Sequence, residues 1–359
     1  MVRQDIDYEF IGSKNSYYSA KVRACLQYKR IPYSERTANI ESMMRVKELT
    51  GDHVYPVVVC PDGTVLRDSC TIVEELEARH PTRPVLPEDP LQRLIATLIE
   101  TVADEFMLST TIGLRWYAKD TSEWAKDMFV QISTERVTDK LTRERGATNG
   151  GRIANSIQKR TQHIAEKHFE SGKEATKEIC DRLDDHLRET PFLLGDRPSL
   201  ADLGMMNAMF GHLYRDPGEV CDHIHWKCIS LSLWIDHMLS AAGESDQGSL
   251  YIAPSIKPLL ASFKLPYGAA AEQSLELAEA ALAQPSVGQA IDIRPRGPLY
   301  TGWKIQRLMD LYRTIEDAQR DEADALLEAA GFLDICRHEA DWRIELASGV
   351  LRVKQVTTS

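Results

Sequence analysis

Apolar and polar positions change rhythm several times along the chain, and these changes mark its parts. Residues 7–12 (DYEFIG) read as a short strand, with a polar break from Ser13 to Ser16. From 17 to 29 the period becomes helical, with Val22, Cys25 and Leu26 on one face. Ile31, Pro32, Tyr33 and the polar SERTA follow, a strand of edge character because Pro32 cannot donate to a ladder. Residues 40–50 return to helical spacing. VYPVVVCPDGTVLRDS then predicts a hairpin of Val57–Cys60 and Thr64–Arg67 around the turn pair Asp62-Gly63. Residues 70–79 (CTIVEELEAR) predict a helix that stops before Pro81.

The predicted order is β-α-β-α-β-β-α. Its first strand–helix–strand unit is long enough for a parallel crossover, and its last two strands form an antiparallel hairpin. That order is the thioredoxin-like pattern. Residues 81–90 (PTRPVLPEDP) hold four prolines and predict a semi-rigid connector. From 91 long helical periodicity takes over, at 91–118, 122–141, 154–189, 200–214 and 229–241, with no strand-like run between. ATNGG at 147–151 reads as a flexible break. Beyond Gly243 come glycines, prolines and polar residues, then helices near 268–283 and 302–330. The tail DWRIELASGVLRVKQV alternates around Ser348-Gly349 as a terminal hairpin. The expected domains are 1–80, a linker at 81–90, an all-α domain at 91–241 and a C-terminal extension at 242–359.

Composition narrows the function classes. Hydrophobic residues make up 43% and charged residues 27% of 359 residues, as in ordinary globular chains. No run of about 18 apolar residues exists, so no membrane span is expected. MVRQDIDYEF lacks a basic-then-apolar signal pattern. A net charge of −11 offers no mean attraction to nucleic acid or an anionic membrane. Residues 134–160 are locally basic, but aromatic residues to stack bases are absent there, and a solvated helix pair is the simpler expectation. The seven cysteines include no C-x-x-C pair, and reduced thiols in a cytoplasmic protein are expected.

Three local features carry candidate chemistry. Ser16 stands where a strand has ended and a helix begins. A hydroxyl there caps free backbone N–H groups or donates to an anion, such as a thiolate, that the helix dipole favours. Tyr55-Pro56 precedes the run VVVC; a cis bond there turns the backbone of Tyr55 outward toward an extended peptide ligand. Asp68-Ser69 precedes a helix, where Ser69 is placed to cap it and bind a carboxylate, and Asp68 to accept from an ammonium group. Each feature alone is equally a common cap or an ordinary proline.

Their joint spacing resembles the N-terminal domain of the glutathione S-transferases. S-Y-Y-S-A-K-V-R (16–23) is similar to that family's serine-type active-site segment, V-Y-P-V to its cis-proline motif, and D-S to the [EQ]-S motif that holds the γ-glutamyl group. P-F-L-L-G-D-R-P-S-L-A-D-L-G (191–204) is similar to a structural signature of the family's helical domain, with Ser199 and Asp202 at capping-box spacing.

The resemblance covers about residues 7–241. It implies that Ser16, or the neighbouring Tyr17 or Tyr18, activates the thiol of glutathione as co-substrate. It also implies that His53, Val54, Tyr55, Pro56, Asp68 and Ser69 bind that peptide. A small hydrophobic electrophile would then lie against Trp116, Tyr117 and Trp124, and the protein would be a homodimer with a detoxification-type role. Tyr17 and Asp68 depart from the family's commoner residues. The competing expectation is a non-catalytic assembly protein of the same fold. A disulfide reductase would place a cysteine at position 16; Cys25 is merely near it. Cys221, His223, His225 and Cys228 match no common zinc spacing, so a His-rich loop before the Trp234 helix is expected there, with no metal.

Overall fold

The computed structural model describes residues 7–282, 290–292, 297–347 and 350–355. They group into two compact units, each assembled from separate stretches of chain. The first comprises residues up to Arg83, Leu108–Lys177 and Met206–Glu244. The second comprises Pro84–Met107, Glu178–Met205 and the chain from Ser245 on.

The first unit contains the thioredoxin-like domain. Its elements are β1 (Tyr8–Gly12), α1 (Tyr17–Tyr28), β2 (Tyr33–Thr37), α2 (Ile40–Thr50), β3 (Val57–Val59), β4 (Val65–Arg67) and α3 (Ser69–Arg79). The four strands order as β2-β1-β3-β4. β1 runs parallel to β2 with Tyr8 opposite Tyr33, and antiparallel to β3 with Phe10 opposite Val58. β3 pairs antiparallel with β4, Val58 opposite Leu66. Proline-preceded β2 lies at the edge. The hairpin turns on Asp62-Gly63, where Gly63 takes φ 85° and Asp62 Oδ1 accepts from Thr64 N at 2.9 Å. Ile11, Val46 and Val57 form a buried cluster on one face of this sheet. α1 is buried nearly all round: Val22, Cys25 and Leu26 are fully enclosed, as their spacing predicts, but so are Ser19 and Lys21.

The helices between Pro90 and Leu239 depart from the sequence expectation in two places. The predicted break at 147–151 lies inside one long helix, α7 (Lys140–Leu187), which follows α4 (Pro90–Thr101), α5 (Met107–Trp116) and α6 (Lys119–Thr134). Its glycines serve close packing. A Cβ on Gly146 would meet the Ser133 carbonyl at 2.7 Å, and one on Gly150 the Phe129 carbonyl and Ser133 Oγ, each at 2.7 Å. Glycine four residues apart thus lets α7 touch the backbone of α6, which outweighs its weak helix propensity. The expected loop at 221–228 is also helical: α8 (Leu200–Ala208) leads into a π-helical turn at Met209–Leu213, then α9 (Glu219–Lys227) and α10 (Ile229–Leu239) follow.

In the second unit, Asp202 at the start of α8 accepts from the Ser199 backbone N–H at 2.9 Å and from Leu193 N at 2.9 Å, fixing the turn ahead of the helix. The C-terminal stretch contributes α11 (Ile256–Phe263), α12 (Ala269–Leu282), β5 (Ala290–Asp292), α13 (Pro298–Arg313), α14 (Asp317–Ala330), α15 (Leu333–Arg337), β6 (Trp342–Ala347) and β7 (Val350–Gln355). The helical stretch expected near 302–330 is divided between α13 and α14, because the chain turns after Arg313 and Arg320 donates to the carbonyls of Tyr312 and Ile315. β7 pairs antiparallel with both β6 and β5. The tip of that hairpin, Ser348-Gly349, lies outside the described residues.

The extension is built into this unit's core. Lys304 of α13 is fully buried, and its ammonium meets Asp104 at 2.7 Å and Glu100 at 3.1 Å. Glu100 also takes Arg307 at 3.1 Å. Removing one member leaves buried charge without its counter-ion, which costs about 3–5 kcal/mol. Lys304→Met should therefore lower stability by that order in urea or thermal unfolding; an unchanged midpoint would contradict the buried cluster.

Candidate functional site

The candidate site gathers at the amino end of α1, in the first unit. β1 ends at Gly12, and the chain turns through Ser13, Lys14 and Asn15 into Ser16. The turn is held by side chains. Ser19 Oγ accepts from Ser13 N at 3.3 Å, and Ser13 Oγ accepts from Asn15 N at 3.3 Å. The second serine of the 16–23 segment thus has a holding role that its spacing alone did not assign.

Ser16 is the residue ahead of α1, with extended φ −87° and ψ 127°, and its hydroxyl makes no capping bond to the helix. No acidic residue sits in the first turn of α1. The positive end of the α1 dipole therefore meets neither a Ser16 cap nor a first-turn carboxylate, a setting that favours an anion. Asn15 Oδ1 beside it is buried with no hydrogen-bond partner among the described residues.

Tyr17 is 4% exposed, with its ring edge-on to Tyr18 at 5.3 Å and to His212 at 5.2 Å. It points into packing, whereas Ser16 and Tyr18 are half-buried.

The Tyr55–Pro56 peptide is cis, and the β3–β4 ladder begins only at Val57 opposite Arg67, so Tyr55 lies ahead of it. The Tyr55 ring packs on the Ile11–Val46–Val57 cluster. Its hydroxyl is buried without a partner among the described residues, and burial pushes it well above the ordinary phenol range. His53 and Val54 are exposed just before it.

At α3 the structure corrects the capping role. Asp68, not Ser69, is the cap: its Oδ1 accepts from Cys70 N at 3.1 Å and Thr71 N at 3.0 Å. Ser69 is the first helical residue and is buried. Asp68 holds φ 72°, a left-handed value costly for a residue with a Cβ and the kind of outlier that collects at binding sites. The cap consumes an oxygen that the sequence reading had reserved for an ammonium group.

The three aromatic residues expected around an electrophile separate. Trp116 is 4% exposed and packs with Ala125, Ala154 and Phe129, and Trp124 lies on the same cluster. Trp116 is core, because helical spacing on α5 turns it inward, and Trp124 is half-buried beside it. Tyr117 is 48% exposed and stacks on Phe169 at 4.7 Å. A cavity of about 470 Å³ opens instead among Leu114, Phe169, Lys173, His212, Asp216 and Cys221, and none of the three aromatic residues lines it.

The residues the sequence reading missed are Arg115, Gly211, His212 and Asp216. Arg115 is 3% exposed and grips Asp216 with two bonds, Nε–Oδ2 at 2.6 Å and Nη2–Oδ1 at 2.7 Å. It also donates to the Gly211 carbonyl at 2.9 Å and to the Asn15 carbonyl at 3.2 Å. Burial pushes the Asp216 carboxyl up, and Arg115 opposes this. No local pattern marks these contacts, which join positions about a hundred apart in sequence.

The thiols are unlike nucleophiles. Cys25 is fully buried and pushed up to about 12 by burial. Cys221 is pushed up to about 11 by burial, with Asp222 and Asp216 adding to it. Cys25 therefore does not replace the missing cysteine of a reductase. Cys221 donates to the Tyr214 carbonyl at 3.4 Å, and the Tyr214 and His225 rings lie 4.4 Å apart. The His-rich segment is thus helical, anchored by the buried Ile224 and Cys228, with His225, Trp226 and Lys227 exposed.

Residues 10–84 match the family model described as the N-terminal domain of glutathione S-transferase. This domain of the chain is thus of the glutathione S-transferase superfamily. A Caenorhabditis elegans protein named "Probable maleylacetoacetate isomerase" is 36% identical over 84 residues, which are 23% of this chain. The match spans 39% of that relative's length.

Among solved structures, the β-etherase LigF of Sphingobium sp. strain SYK-6 shares 19% identity at a TM-score of 0.43, covering 70% of this chain and 98% of that one. FzlA of C. crescentus shares 18% at 0.40, covering 71% and 92%. A glutathione S-transferase of Methylobacillus flagellatus KT with glutathione bound shares 20% at 0.37, covering 66% and 100%. These three likenesses are remote. No helix among the described residues is long and apolar enough to cross a membrane.

All seven cysteines are free, and all but Cys221 are buried. A thiol reagent at pH 7 should label no more than about one thiol rapidly in the native protein, and seven after denaturation. Rapid native labelling of several would contradict this packing.

Proposed function

We propose that the protein is a glutathione transferase that ionises the glutathione thiol at the amino end of α1 and directs it at a small electrophile. The observation that carries this reading is Ser16: a hydroxyl at the start of a helix, in a domain of the glutathione S-transferase type, that does not cap its own helix. That hydroxyl, at the positive end of the α1 dipole, is then placed to donate to an anion. A free thiol ionises near pH 8.5 and is mostly protonated at neutral pH. Lowering it by about one to two units makes it largely thiolate. The extended peptide docks beside Tyr55-Pro56, with its γ-glutamyl end toward Asp68 and Ser69. The unusual backbone of Asp68 supports a binding role for that corner.

The thiolate attacks an electrophilic carbon, and the leaving group or the conjugated system takes the electron pair. Conjugation, ether cleavage, dehalogenation and isomerisation all begin with this step. The relative named as an isomerase supports trying an isomerisable unsaturated carbonyl among the electrophiles. His212 supports placing the electrophile near the helical cavity, because its ring both touches Tyr17 and lines that cavity. The homodimer carried by the family resemblance belongs to the same proposal.

Ser16→Ala should keep glutathione binding and raise the bound thiol's pKa by about one unit or more, with about a tenfold or greater loss of turnover near pH 6.5. Thiolate absorbance against pH and calorimetric binding read the two effects separately. Unchanged turnover would transfer the role to Tyr17 or Tyr18. Asp68→Asn, which keeps a capping oxygen, should weaken glutathione binding while leaving the fold intact. Absence of any glutathione binding by the unaltered protein would overturn the reading in favour of an assembly role. Light scattering should report a particle near twice 40.5 kDa.

A further inference from the structure

The turn that presents Ser16 is closed locally by Ser13 N donating to Ser19 Oγ and Asn15 N to Ser13 Oγ, each at 3.3 Å, and by Ser16 N donating to the Ser13 carbonyl at 3.2 Å. What ties it to the helical part of the first unit is the Asn15 carbonyl, held by Arg115 Nη1 at 3.2 Å. Arg115 is in turn immobilised by the two-bond grip on Asp216 and by the Gly211 carbonyl. Gly211 closes the arrangement from the other side. A Cβ there would stand 2.9 Å from Tyr17 Cα, 3.3 Å from the Tyr17 carbonyl and 3.5 Å from the Ser16 carbonyl. The π-helical turn at Met209–Leu213 thus presses its bare backbone directly on the first residues of α1.

We propose that Arg115, locked by Asp216 and backed by Gly211, is a positioning residue that fixes the Asn15–Ser16 turn and so sets how strongly Ser16 activates the thiol. This rests on the transferase reading for its catalytic consequence, but not for its mechanical one. The chemistry favours arginine. Its planar fork spans both Asp216 oxygens and still has N–H groups for two carbonyls, whereas a lysine ammonium is a point charge that cannot hold all four at once. A displacement of the donor by about an ångström weakens a hydrogen bond to a developing thiolate more than it weakens binding of the peptide as a whole. The clamp should therefore act on kcat and on the thiol's ionisation rather than on glutathione KM. The same device connects the cavity to the turn, because Asp216 and His212 line that cavity and face Arg115 and Tyr17 respectively.

Arg115→Lys, Asp216→Asn and Gly211→Ala test this from three sides, and each is made in the full chain. Lysine keeps the charge, asparagine keeps the shape, and alanine pushes on the helix start without touching the ion pair. In each folded variant, hydrogen exchange of the 13–20 segment should rise about tenfold or more relative to the β3–β4 hairpin. The bound thiol's pKa should rise by about half a unit to one unit, and kcat should fall several-fold with glutathione KM within about twofold. A merely structural loss would raise exchange throughout and leave the thiol of the remaining folded protein unmoved, which overturns the proposal. Unchanged exchange and unchanged thiol titration in folded Arg115→Lys and Gly211→Ala would also overturn it. If the unaltered protein binds no glutathione while 13–20 still loosens in the variants, the clamp stands and the transferase reading falls.

Discussion

A guanidinium taken out of water must recover its hydration through fixed hydrogen bonds, and Arg115 does so on both oxygens of Asp216 and on the carbonyls of Gly211 and Asn15. Desolvating such a pair costs several kcal/mol, and breaking it leaves a charge with nowhere to go. The geometry is therefore all-or-none. It holds three stretches of chain at once: the turn ahead of α1, the end of α5 and the π-helical turn at 209–213. The amino end of α1 keeps a Ser16 hydroxyl that does not cap its own helix, while the chain leading into it is firmly held. An anion-binding site requires that combination, because donors that must reorganise on binding lose much of what they would contribute.

The second unit rests on a constraint of the same kind. Lys304 stands against Glu100 and Asp104 with no exposed surface, and Arg307 adds a second cation to Glu100. The extension is thereby joined to α4 and the turn after it through buried charge. Glu105, in the π-helical turn at Val102–Phe106, accepts from Thr301 at 2.8 Å, so that turn too is tied to α13.

Much of the N-terminal domain was legible because its signals are local. A proline marked the edge strand, Asp62-Gly63 marked the hairpin, and alternation marked the strands. Ser16, Tyr55-Pro56 and Asp68-Ser69 stand out as candidates for the same reason, since each sits at a junction between elements. The errors have one cause. Gly150 and Gly151 read as a break because glycine is flexible in isolation; in the fold Gly150, with Gly146 a turn earlier, is where two backbones touch. Trp116 reads as a pocket wall because aromatics line pockets, yet the face it occupies is enclosed against Ala125 and Ala154. Asp68 displaced Ser69 as the cap because only the three-dimensional path of the chain decides which oxygen reaches the free N–H groups.

The sequence by itself determined the order of strands and helices in the N-terminal domain, the junctions where chemistry can sit, and the resemblance that joins them. Those features depend on neighbours within a few residues, whose steric and hydrogen-bonding preferences act without the rest of the chain. Only the tertiary structure decided that Arg115, Gly211 and Asp216 hold the Ser16 turn, that the glycines of α7 are contacts, and that Lys304 locks the extension into its unit. Such contacts join residues about one to two hundred positions apart. Their value comes from exclusion of water around the assembled group, and no local pattern carries that.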